Sequence, residues 1–190
     1  MKLLEDRIRK DGKIGAGDVL RVDSFLNHQI DVPFLSELGR EFYRLYQNDG
    51  VTKILTIEAS GIGIACLAAA CFGVPVVFAK KAAANNLPPD VYTAEVYSYT
   101  HRRAYTVRVS KEFLTPSDRL LIIDDFLAKG SALCALLDLA QQSGASVAGA
   151  GIVIEKAYQG GGDLVRRKGI HVESLARIAS MDPENGVSFI

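Results

Sequence analysis

Short aliphatic runs alternate with stretches of helical periodicity along this 190-residue chain. Residues 2–10 place apolar side chains at amphipathic-helix spacing, and Gly12 ends that run. Residues 18–23 form a brief strand candidate, followed by a loop around Asn27, His28 and Gln29. Pro33 opens a long helix in which Phe34, Leu35, Leu38, Phe42, Leu45 and Tyr46 recur at helical spacing, and Gly50 can stop it. A strand–helix alternation then begins. Residues 53–58 read as a strand, 59–63 as a tight loop and 64–72 as an apolar helix ended by Gly73. Residues 75–80 read as the next strand and 82–90, with Asn85-Asn86 and Pro88-Pro89, as a loop. Residues 91–99 and 104–110 alternate like the two arms of a β-hairpin. Residues 120–124 predict a third buried strand, with a helix over 130–143, a strand over 147–155, a short helix over 161–168 and a final strand over 171–176.

Buried strands rich in Ile and Val, separated by helices, predict an α/β fold: a mostly parallel central sheet with helices on both faces. Ligands in such sheets bind at the carboxyl ends of the strands. The loops after Glu58, Asp124 and Glu155 would then share one edge. No repeat or linker interrupts the chain, and its length predicts a single domain over residues 1–190.

Composition narrows the function classes. Hydrophobic residues make up 48% and charged residues 23%, as in an ordinary globular protein. Lys+Arg and Asp+Glu both total 22, so net charge is zero. That balance argues against a chain built to coat nucleic acid or an acidic membrane, but leaves room for a local anion site. Cys66, Cys71 and Cys134 lie in apolar, helical stretches. Their odd number and unpaired spacing predict reduced, buried thiols and a cytoplasmic location. The first residues do not resemble a secretory signal, and no apolar run is long enough to span a membrane.

The chemistry concentrates in Ile122-Ile123-Asp124-Asp125-Phe126-Leu127-Ala128-Lys129-Gly130-Ser131-Ala132. Two adjacent carboxylates at a strand end are costly unless water, a cation or a ligand meets them. Taken alone they are equally a pair of loop acids, one of them capping the helix. The small residues that follow offer backbone N–H groups, a hydroxyl and a helix start, the parts of an anion site. Two other phosphate motifs fail here. A Walker A loop needs Gly-Lys-Ser/Thr, whereas this chain has Lys129-Gly130-Ser131. The dinucleotide fingerprint needs a small residue three positions after Gly63, where Cys66 stands.

The segment resembles the phosphoribosyl-diphosphate (PRPP) motif of type I phosphoribosyltransferases. Within that superfamily the whole chain is similar to the bacterial xanthine phosphoribosyltransferases, including the N-terminal section, Ile57-Glu58-Ala59-Ser60-Gly61 and Ile154-Glu155-Lys156. The resemblance implies a small hood built from the chain termini and a flexible hairpin lid. It implies that Ala128, Lys129, Gly130, Ser131 and Ala132 cradle the 5-phosphate. Asp124 and Asp125 would be catalytic, facing the ribose hydroxyls beside the positive charge of the transition state. Ser60, Gly61 and Lys81 would hold the diphosphate, while Leu20, Asn27 and Lys156 would contact the base. Tyr99, Arg102 and Arg103 would form the working end of the lid, within a basic stretch that also holds His101, Arg108 and Lys111.

The expected substrates are therefore xanthine and PRPP, giving xanthosine 5′-monophosphate and diphosphate in purine salvage. Magnesium would accompany the diphosphate, with no metal site on the protein, and the chain would form a homodimer. Nucleic acid and membrane are not expected partners. An enzyme preferring guanine, hypoxanthine or adenine, or a PRPP-sensing purine repressor, is the alternative. One departure bears on mechanism. Some oxopurine relatives carry an acid where this chain has Ala128, so this loop supplies no general base.

Overall fold

A computed structural model describes residues 1–81, 90–98 and 103–190, with the side chains of Ser98 and Arg103 left out. The elements run α1 (Lys2–Asp11), β1 (Lys13–Gly15), β2 (Val19–Arg21), α2 (Val32–Tyr46), β3 (Lys53–Ile57), α3 (Ser60–Phe72), β4 (Val76–Lys81), β5 (Val91–Ser98), β6 (Arg103–Ser110), β7 (Arg119–Leu127), α4 (Ser131–Ser143), β8 (Ser146–Lys156), α5 (Gly161–Arg167), β9 (Val172–Asp182) and β10 (Gly186–Phe189). The expected loop over 82–90 and the lid residues Tyr99, His101 and Arg102 lie outside the described residues, apart from Asp90.

The aliphatic runs pair into one eight-stranded sheet of order β10-β9-β8-β7-β3-β4-β6-β5. Its five central strands, β9 to β4 in that order, are mutually parallel. Strand β10 joins one side antiparallel, and the β5–β6 hairpin joins the other through Lys80 and Lys81. The hairpin thus extends the main sheet. Strands β1 and β2 form a separate small ribbon, with Gly15 opposite Val19.

Each face of the sheet buries its own core, since both faces of a central parallel sheet must be covered. On one face α1, α2 and α3 pack Leu4, Ile8, Leu35, Leu38, Phe42 and Ile64 against Ile54, Leu121, Ile123 and Val153. On the other, Leu133, Leu136 and Leu139 of α4 cover Leu55, Leu120, Ile122 and Ile152, and Val107 and Val109 join from the hairpin. A fully buried Leu, Ile or Phe contributes about 1.5–3 kcal/mol relative to exposure. Asp31 caps α2 by accepting the Phe34 amide at 3.2 Å, and Arg7 of α1 pairs with the same carboxylate at 2.9 Å.

Several boundaries differ from the sequence reading. Strand β7 continues through both acids to Leu127, because Asp124, Phe126 and Leu127 stay paired with Ile152, Ile154 and Glu155. Helix α3 begins at Ser60, so Ser60 and Gly61 form its first turn and not a loop. Strands β1 and β10 were not expected, and β9 runs six residues past Ala176. The cysteines are free thiols, but Cys66 is exposed and Cys71 and Cys134 are half-buried. Helix α3 is apolar on every side after Ser60, so its composition does not reveal which face turns outward.

Candidate active site

Because β3, β7 and β8 are parallel, the segments that leave their carboxyl ends meet at one edge of the sheet. A cavity of about 900 Å³ opens there. Its walls include Leu20 and Asn27 from the N-terminal section, Ala128, Lys129, Gly130, Ser131 and Ala132 from the β7–α4 turn, and Lys156 from the end of β8. The expected base-contacting and phosphate-contacting groups therefore share one space.

The β7–α4 turn is shaped as an anion cradle. Gly130 precedes α4 in the left-handed conformation (φ 88°), and Ser131 is the first helical residue. The first amides of a helix have no intrahelical acceptor and point outward with the positive end of the helix dipole. Helix α5 holds the turn from behind: the Gly161 amide donates to the Ala128 carbonyl at 3.0 Å. A Cβ on Gly161 would stand 2.3 Å from that carbonyl oxygen and 2.6 Å from the Gly130 nitrogen, so only glycine fits.

Asp124 and Asp125 precede this turn within β7, do not line the cavity, and are 5% and 7% exposed. The Asp125 amide donates to Asp124 Oδ1 at 3.0 Å, and the Asn27 amide reaches Asp125 Oδ2 at 3.5 Å. No ion pair reaches either carboxylate among the described residues. Burial and the neighbouring Asp125 push the Asp124 carboxyl well above its ordinary range, and Lys81 partly opposes them. Burial thus disfavours the ionised Asp124, and a cationic group beside it would favour ionisation.

Ser60, Gly61 and Lys81 belong to β3–α3 and β4, next along the sheet from β7, and do not line the cavity. Gly61 nonetheless touches the acidic pair: a Cβ there would come within 2.2 Å of Thr56 Oγ1 and 3.1 Å of Asp124 Oδ1. The Lys81 amide donates to Glu58 at 2.5 Å, and its ammonium lies 5.4 Å from the centre of the Tyr105 ring. The Glu58–Ala59 peptide is cis.

The base end shows groups that sequence reading had missed. The Lys156 ammonium donates to the Asp18 carbonyl at 2.5 Å. Burial lowers the Lys156 pKa, and Asp18 partly opposes that. Asp18, Gln159 and Phe126 line the cavity, as do Val96, Tyr97 and Tyr105 of the hairpin. The hairpin therefore does flank the site. Its basic residues do not all face it: Lys111 pairs with Asp90 at 2.7 Å, and Arg108 lines a separate cleft with Phe78 and Phe113. Beside Lys156, the buried Glu155 binds Arg166 through two 2.8 Å hydrogen bonds and accepts from Ser174 at 2.6 Å.

A model of the phosphoribosyl transferase domain matches residues 28–169, which span the β3–α3 turn, the acidic pair, the cradle and Lys156. The chain belongs to the phosphoribosyltransferase family. Among full-length phosphoribosyltransferase relatives, the xanthine phosphoribosyltransferase of Lachnoclostridium phytofermentans is 60% identical over 98% of this chain and 96% of that protein. That of Ruminiclostridium cellulolyticum is 55% identical over 98% and 97%. The adenine phosphoribosyltransferase of Trypanosoma brucei, solved with AMP, pyrophosphate and ribose-5-phosphate, shares the fold with a TM-score of 0.76 at 19% identity, over 93% of this chain and 80% of that one. Leu20 and Asn27 precede the matched phosphoribosyltransferase domain.

Proposed function

We propose that this phosphoribosyltransferase joins xanthine to PRPP, forming xanthosine 5′-monophosphate and releasing diphosphate. One observation carries the reading: Leu20, Asn27 and Lys156 line the same cavity as the residues 128–132 turn, and Asn27 also donates to Asp125 of the acidic pair. The names of relatives at 55–60% identity support the choice of base.

In this reading the cradle at residues 128–132 takes the 5-phosphate through backbone amides and the Ser131 hydroxyl. A ring nitrogen of the base attacks the anomeric carbon as the bond to diphosphate breaks. Positive charge grows on the sugar, and the buried Asp124–Asp125 pair lowers the barrier because that charge and the ionised carboxylates favour each other. Ser60, Gly61 and Lys81 face the departing diphosphate. Lys156 donates to the 6-oxo group, which selects oxopurines over the amine of adenine. The Asn27 amide donates to the 2-oxo group, which separates xanthine from hypoxanthine. The purine proton leaves to water, since Ala128 offers no base. Magnesium is part of the substrate here, carried by diphosphate oxygens and water. The protein acts as a cytoplasmic homodimer in purine salvage. Among the described residues no helix is long and apolar enough to cross a membrane.

Initial rates with PRPP and xanthine, guanine, hypoxanthine or adenine test the proposal. Xanthine should give the highest kcat/KM. Preference for another base, or no turnover at all, rejects it. Light scattering should report twice the 20.5 kDa chain mass.

A further inference from the structure

Asp18 is the one non-glycine residue with a left-handed backbone (φ 65°) among the described residues. It ends the turn between β1 and β2, and all its acceptors are engaged by a single short segment more than 130 residues away. Its carbonyl takes the Lys156 ammonium at 2.5 Å. Its carboxylate takes the Tyr158 hydroxyl and the Gln159 amide, each at 2.6 Å. That segment leaves β8 at the carboxyl edge of the sheet, and Asp18, Lys156 and Gln159 all line the cavity.

The division of acceptors has a chemical consequence. A lysine ammonium has three N–H donors. One is given to a neutral carbonyl, which fixes its direction and leaves its charge and two donors for a ligand. The charged carboxylate goes instead to two neutral donors. The opposite arrangement, carboxylate on ammonium, would neutralise the cation that meets the base. An exposed aspartate needs no protein partner, because water satisfies it. Three bonds to three nearby residues, made from a backbone conformation that aspartate seldom adopts, mark a built contact.

We infer that Asp18 is a positioning residue for purine recognition, clasping the β1–β2 turn onto the turn after β8 and aiming Lys156 into the cavity. The inference rests on the reading of Lys156 as a donor to the base. It also accounts for how Leu20, two residues beyond Asp18, is carried to the cavity wall.

Asp18→Gly separates the parts of the clasp. Glycine adopts the left-handed turn freely and keeps the carbonyl, so the carboxylate alone is lost. Amide hydrogen exchange over residues 13–21 should accelerate at least tenfold. The KM for xanthine should rise fivefold or more, with the PRPP KM within twofold of wild type. Asp18→Asn, which keeps one oxygen acceptor, should lie between the two. Unchanged exchange, an unchanged xanthine KM, or an equal rise in the PRPP KM each overturns the inference. A wild-type chain that turns over no oxopurine overturns the function proposed above and the purine role of Asp18 with it, while the exchange data still decide the clasp.

Discussion

The side-chain amide of Asn27 reaches the carboxylate of Asp125 at 3.5 Å, across 98 residues of sequence. One amide thus borders both the acidic pair and the cavity that Leu20 and Lys156 line. Asn27→Ala should reduce the preference for xanthine over hypoxanthine by about tenfold or more, since loss of a polar contact built for a substrate oxygen discriminates strongly. Competition between the two bases at limiting PRPP measures it. An unchanged ratio would remove Asn27 from the 2-oxo group.

Asp124 opposes stability and should be indispensable for turnover. Its folded carboxyl titrates above the unfolded value of about 3.9. The folded chain therefore holds a proton that the unfolded chain has lost, and stability falls as pH rises above about 4. Asp124→Asn removes that cost. Its Tm should exceed wild type at pH 7, and the gap should close toward pH 4. Turnover should fall by about 10²–10³-fold, the size of effect seen when one preorganised electrostatic contact to a transition state is removed. Thermal melts across pH, paired with rates, check both halves.

Gly161→Ala should act on the phosphate end alone. The new methyl group would press on the Ala128 carbonyl and the Gly130 nitrogen, so the cradle must shift. A misplacement of about 1 Å costs about 10²-fold in catalysis. The PRPP KM should rise at least tenfold while the xanthine KM stays near wild type. Steady-state kinetics with each substrate varied in turn distinguishes this from general destabilisation, which would lower the active fraction and leave both KM values alone.

Glu155 contributes stability in the opposite pH window. Burial raises its carboxyl, but Arg166, Ser174 and Arg177 outweigh that and hold it below its ordinary value. Its contribution is complete above the unfolded pKa of about 4.3 and is lost as pH falls through the lower folded value. Glu155→Gln should cost about 3 kcal/mol in urea melts at pH 7, because the arginines lose the charge that compensates them. The deficit should shrink below pH 4. A loss under about 1 kcal/mol at pH 7 would show that the cluster is not a structural anchor.

The strand–helix alternation is plain in the sequence because Ile54-Leu55, Leu120 to Ile123 and the run before Glu155 are apolar on both faces of a covered sheet. The turn over residues 128–132, which lines the cavity, was equally legible, being one continuous segment. What the sequence concealed has four physical causes. Asp124 and Asp125 look like a strand end, yet backbone pairing with β8 ignores side-chain polarity and carries β7 to Leu127. Lys13-Ile14-Gly15 is too short to show a period, so β1 becomes visible only through its partner β2. Asp18 and Gly161 owe their roles to partners brought near by folding: Asp18 meets Lys156, and Gly161 meets Ala128. Cys66 misled because α3 offers no polar stripe to orient it.

The separation of the cradle from the base end has an evolutionary consequence. In the proposed reading, the sugar-phosphate half of the site is one uninterrupted stretch of chain, anchored in the middle of the sheet. The proposed base half is assembled from a small ribbon, the segment at Asn27 and the end of β8, with Asp18 bonded to Lys156, Tyr158 and Gln159 across it. The ribbon shares no backbone pairing with β7. On the proposed assignments, the architecture lets a lineage, or a protein engineer, exchange the nucleobase accepted while inheriting the transfer chemistry.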